Sequence, residues 1–114
     1  MTEFRVVETG AVIKVELADS FIKRFLGLMG RASIDGGLFL APCNSIHMCF
    51  MRFSIDAVYV DKNYRIKKIV RRLRPWIGLS MCPGAFGVLE LTAGDADRFN
   101  LDVGQTFSFS SRHN

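Results

Sequence analysis

Turn-forming residues recur along this 114-residue chain at intervals too short for long helices. Thr9-Gly10, Asp35-Gly36-Gly37, Pro42, Asp61-Lys62-Asn63, Arg74-Pro75-Trp76, Pro83-Gly84 and Gly104-Gln105 break it into short segments. Most of these segments carry the period-two pattern of strands, with Ile13, Val15 and Leu17 alternating with Lys14 and Glu16. The expected elements are seven or eight strands and two helices, without the regular alternation of a parallel doubly wound fold. The predicted class is therefore α+β, a compact domain with a mainly antiparallel, barrel-like sheet and one or two short helices.

Two segments depart from the strand pattern. Phe21, Phe25, Leu28 and Met29 fall at i, i+4, i+7 and i+8, which predicts an amphipathic helix after Asp19 or Ser20 and ending near Gly30. Gly27 inside it suggests close backbone packing. Ala93 to Asn100 predicts a two-turn helix. Ile55–Val60 and Tyr64–Arg72, joined by Asp61-Lys62-Asn63, predict an antiparallel hairpin. In the next strand Val88 and Glu90 face opposite to Leu89 and Leu91. The stretch from Gly78 to Gly84 has too many breakers to be regular.

A hydrophobic content of 49% is enough for a single domain over 1–114 with a core of its own. The first residues lack a secretory leader pattern, and no apolar run reaches the length of a membrane span. Three cysteines fit a reducing compartment, so a cytoplasmic protein without a membrane partner is expected. The net charge of +4 has a local origin. Arg65, Lys67, Lys68, Arg71, Arg72 and Arg74 follow one another with no acid among them, and the rest of the chain has more acidic than basic residues.

Cys43 to Asp56 concentrates the reactive groups. It holds His47, Cys43, Cys49, Arg52 and Asp56. Within it, Ser45 to Met51 alternates, with Ile46, Met48 and Phe50 on one side and His47, Cys49 and Met51 on the other. Both sides are largely apolar, which predicts a central strand.

Across about residues 20–107 the chain resembles the domain-of-unknown-function 192 family. The resemblance rests on Arg24 to Arg31, Gly37-Leu38-Phe39, Ser45-Ile46-His47 with Phe50-Met51 and Ile55-Asp56, Pro83-Gly84-Ala85, Val88 to Leu91, and Ala93-Gly94. It implies a compact β-rich domain and supplies no reaction. Ser54 stands where the family pattern has proline, and Cys49 where an aromatic is usual.

Four chemistries fit these residues. Cys43, His47, Cys49 and Cys82 make the ligand count of a structural zinc site but lack the paired Cys-x-x-Cys spacing, and buried thiols explain the cysteines equally simply. Cys43 or Cys82 beside His47, with Asp56 orienting the ring, would be a hydrolase-type arrangement, with no local signature of a known hydrolase. The basic strand 65–74 is a nucleic-acid contact or a solvated edge strand, and its charges divide between two faces with few aromatics. His47, Arg52 and Asp56, with Trp76 as an apolar wall, make a site for a small polar or anionic ligand. Arg31 and Glu90 join that set from the matching pattern. Ligand or partner recognition, with no cofactor, is the reading best supported; a structural Arg-Asp pair is the simpler alternative.

Overall fold

The computed structural model describes residues 2–18, 34–48 and 51–111. They form nine strands: β1 (Thr2–Val6), β2 (Val12–Ala18), β3 (Gly37–Leu40), β4 (Ser45–His47), β5 (Ile55–Val60), β6 (Ile66–Leu73), β7 (Leu79–Met81), β8 (Gly87–Thr92) and β9 (Phe107–Ser111). One short helix, α1 (Asp95–Arg98), follows β8. Seven strands make one sheet in the order β6-β5-β8-β3-β2-β1-β9, and β4 pairs with β7 in a separate two-stranded sheet. All pairs are antiparallel except β2 with β3. The helix expected over Phe21–Met29 lies outside the described residues.

The large sheet curls until its ends approach. Arg65 bridges to Thr106, the Ile66 N–H donates to the Gln105 carbonyl at 2.8 Å, and the Phe107 N–H donates to the Tyr64 carbonyl at 2.9 Å. These bonds join the start of β6 to the start of β9 and make a half-barrel. Each central strand is buried on both faces, as its apolar run requires. Phe4, Val15, Phe39, Val58, Leu89 and Leu91 fill the inner face, which Ala96 and Leu101 close at one end. Leu38, Leu40, Ala57, Tyr59 and Val88 form a second core on the outer face with Ile46, Met48 and Cys82. The small sheet covers that second core.

Three expectations change. Among the described residues the class is β-rich with little helix: the segment after Ala93 makes only one turn, because the Leu101 N–H turns back to the Ala96 carbonyl at 2.8 Å. The strand expected from Ser45 to Met51 is neither long nor central. It stops at His47, because the Met51 N–H bends back to the Met48 carbonyl at 3.1 Å. The loop from Gly78 to Gly84, expected to be irregular, contains β7, which supplies the partner β4 needs. The hairpin of β5 and β6 and the facing of β8 are as the alternation predicted.

Asp56 ties three elements together. It is buried on β5, and its Oδ1 accepts the Arg72 N–H at 3.0 Å where β6 is irregular and Arg72 has φ 57°. Its Oδ2 accepts the N–H groups of Gly94 at 3.0 Å and Ala96 at 2.9 Å. Gly94 has φ 98° and no capping side chain, so this carboxylate from a neighbouring strand supplies the missing cap of α1.

Candidate functional site

Met48 is the hub of the chemically rich stretch. Its side chain is buried in the outer core, while its carbonyl accepts the N–H groups of Met51 and of Trp76, the latter at 2.7 Å. Its own N–H donates to the Gly78 carbonyl at 2.9 Å. The segments bearing His47, Arg52 and Trp76 therefore converge on one backbone unit, and all three side chains are exposed there. Ile55 pairs with Leu73, which brings the end of β6 and Arg74 to the same corner.

The outward side of β7 is apolar. His47 lies opposite Leu79 and Ser45 opposite Met81. Trp76, Ile77, Leu79 and Met81 are 57%, 75%, 67% and 54% exposed, a run of apolar surface large for a water-facing strand and turn. Trp76 is held in the left-handed region at φ 69°. The Ile77 N–H donates to the Pro75 carbonyl at 2.8 Å and the Gly78 N–H to the Arg74 carbonyl at 3.0 Å, which closes the turn tightly.

Beneath that sheet lies a buried polar layer. The Tyr59 hydroxyl on β5 and the Ser80 hydroxyl on β7 share a hydrogen bond of 2.7 Å. Burial pushes the Tyr59 phenol above its usual value; Cys43, Cys82 and Glu90 nearby push it the same way, and the bond to Ser80 opposes them. The Cys43 thiol donates to the Ser45 carbonyl at 3.1 Å. Glu90 is 5% exposed and sits opposite Ala57 and Leu38 on the same face.

The residues singled out in the sequence thus fall into separate places. His47, Arg52 and Trp76 share the exposed corner. Asp56 faces the other way from Ala57 and Tyr59, and both its oxygens are taken up by backbone, which corrects the expectation that it orients His47 or joins a ligand site. Glu90 lies in the buried layer. Arg31 and Cys49 lie outside the described residues. Among the described residues no three His, Cys, Asp or Glu side chains are grouped to hold a metal ion. Cys82 is buried under β4–β7 whereas His47 points out from it, which separates the proposed zinc and nucleophile partners. Trp76 stands exposed on the surface.

The basic segment is an edge strand. β6 pairs with β5 and ends the sheet. Several of its cations are tied down: Arg65 Nε donates to the Gly104 carbonyl at 3.1 Å, Lys68 Nζ to the Met81 carbonyl at 2.8 Å, and Arg71 Nε pairs with Asp97 at 3.0 Å. The apolar surface of Ile77, Leu79 and Met81 escaped the sequence reading, although the alternation Ile77-Gly78-Leu79-Ser80-Met81 carried a strand signal. No helix of the described residues is long and apolar enough to cross a membrane.

Known proteins place this architecture. A protein of unknown function from Novosphingobium aromaticivorans has a crystal structure that matches with a TM-score of 0.82 at 21% identity, over 94% of this chain and 82% of that one, a likeness of fold alone. A UPF0127 protein of Thermococcus sibiricus is 35% identical over 97 residues, covering 80% of this chain and 62% of that protein's length. The UPF0127 protein PF1050 of Pyrococcus furiosus is 31% identical over 103 residues, covering 86% of this chain and 88% of that protein. The sequence profile of DUF192, described as Uncharacterized ACR, COG1430, matches residues 4–109. With the half-barrel in agreement, the chain belongs to the DUF192 family, in which its UPF0127 relatives are found.

Proposed function

We propose that the chain is a recognition module rather than an enzyme, and that it takes an anionic ligand or partner at the corner formed by His47, Arg52, Arg74 and Trp76. The observation that carries this reading is the convergence of three segments on the backbone of Met48, which leaves the titratable, cationic and aromatic side chains exposed together. Charge supports the sign of the partner. From Gly36 to Ile55 and again from Arg65 to Leu89 the chain has no acidic residue, so both strands of the small sheet and their flanking loops present only cations and neutral groups. Three cysteines, an odd number, fit a protein working in a reducing cytoplasm.

Thermal-shift measurements with a series of carboxylates, phosphate monoesters and short acidic peptides test the reading. Binding that raises the melting temperature of the wild type, and that weakens with Arg52→Ala and with Trp76→Ala, supports it. Hits whose affinity both variants leave unchanged remove this corner as the site.

A further inference from the structure

Resting on the recognition reading above, we propose that the anionic partner is a phospholipid surface, met by the outward side of β4–β7 with the turn at Trp76 and Ile77 entering the interface first. The shape of the apolar surface favours this occupant. Neither the groove of about 430 Å³ lined by Thr2, Lys14 and Asp35 nor the mouth of about 180 Å³ lined by Phe39, Tyr64 and Phe109 includes Trp76, Ile77, Leu79 or Met81. Those four stand out from a turn and a short strand. A bilayer takes up protruding apolar side chains without a pocket of matching shape.

Cations run alongside them. The bond from Lys68 Nζ to the Met81 carbonyl holds β6 against β7, so the exposed Lys67 and Arg72 belong to a strand that borders the apolar row, and the exposed Arg74 follows it directly. An apolar surface edged by lysine and arginine is the pattern of segments that lie in the interface of anionic membranes. Each cation close to such a leaflet strengthens binding by about fivefold. Trp76 adds an indole, the side chain best suited to the headgroup level. Its left-handed backbone is costly for any residue other than glycine and is held by the Met48 carbonyl, so the tip is pre-organised outward.

Trp76 is the sole tryptophan, which makes its fluorescence a direct probe of insertion. The full chain is titrated with vesicles of pure phosphatidylcholine and with vesicles containing about one-third phosphatidylglycerol. The expected result is a blue-shifted emission and co-flotation with the anionic vesicles only, weakened by salt. Ile77→Ser and Leu79→Ser, exposed changes that leave the melting temperature in place, abolish the shift, and Arg74→Glu weakens partitioning by about fivefold or more. Unchanged emission and no flotation at saturating anionic lipid overturn the proposal. If soluble acidic peptides or single-stranded oligonucleotides bind in an Arg52- and Trp76-dependent way while vesicles do not, the lipid assignment falls and the recognition reading stands. If neither class binds, both fall.

Discussion

Tyr59 on β5 and Ser80 on β7 place their hydroxyl oxygens 2.7 Å apart, a buried side-chain bond that joins the small sheet to the large one. It is the polar part of an otherwise apolar contact made by Ile46, Met48 and Cys82. Tyr59→Phe leaves the Ser80 hydroxyl buried without this partner and is expected to cost about 1–2 kcal/mol in urea unfolding. The double change Tyr59→Phe with Ser80→Ala is expected to cost less than the sum of the two single changes, because it leaves no orphaned group.

The same phenol sets an alkaline limit. Its pKa is raised above 10.0 chiefly by burial, so between that value and its folded pKa the native state holds a proton that the unfolded chain has released. The native state then binds more protons, and stability falls as pH rises. Below pH 10.0 the phenol contributes no such slope. Unfolding midpoints measured from about pH 9 to 11 are expected to decline less steeply for Tyr59→Phe than for the wild type.

Asp56 accepts three backbone N–H groups from two other elements, so its removal strands all three at once. Asp56→Ala is expected to destabilise the fold by about 3–5 kcal/mol. Asp56→Asn keeps one acceptor oxygen and is expected to cost less. Hydrogen exchange supplies a local readout: the Ala96 amide should lose protection in the alanine variant before the Val58 amide does.

Gly78 has no room for a side chain. A Cβ there would lie 2.6 Å from Met48 Cγ and 2.7 Å from the Arg74 carbonyl oxygen, and the second is backbone that closes the turn. Gly78→Ala is expected to cost about 1–3 kcal/mol. It should also weaken any ligand of the His47–Arg52–Trp76 corner, since the Met48 N–H bond to the Gly78 carbonyl helps to build that corner.

The two described thiols differ in access, Cys43 being partly exposed and Cys82 buried. In a Cys49→Ser background, timed alkylation followed by mass spectrometry is expected to label Cys43 first. Cys82 should react only as fast as the small sheet lifts from the core.

Much of the fold was legible from local rules. The hairpin of β5 and β6 followed from two alternating runs around Asp61-Lys62-Asn63, and the edge position of β6 from its density of lysine and arginine. The facing of β8 followed from strict alternation between Leu89 and Leu91 on one side and Val88 and Glu90 on the other. The stretch after Cys43 misled because alternation continued past His47, while the chain turned where Met48 accepted the Met51 N–H. Period two records which side chains have an inward environment, not which strand lies next door. β7 was hidden because the breakers Gly78, Pro83 and Gly84 surround it, although Leu79 and Met81 alternate with Ser80.

The sequence by itself determined the family, the predominance of strands and a cation-rich edge, because motif order, strand periodicity and charge are properties of neighbours along the chain. Only the tertiary structure decided what the polar residues do. Asp56 and Arg52 are four positions apart, yet one is enclosed by backbone donors from β6 and α1 and the other stands in water. The role of a carboxylate depends on which N–H groups reach it, and those come from residues 16, 38 and 40 positions away. The corner of His47, Arg52 and Trp76 has the same origin: a carbonyl at Met48 accepting from Met51, close by in the chain, and from the distant Trp76.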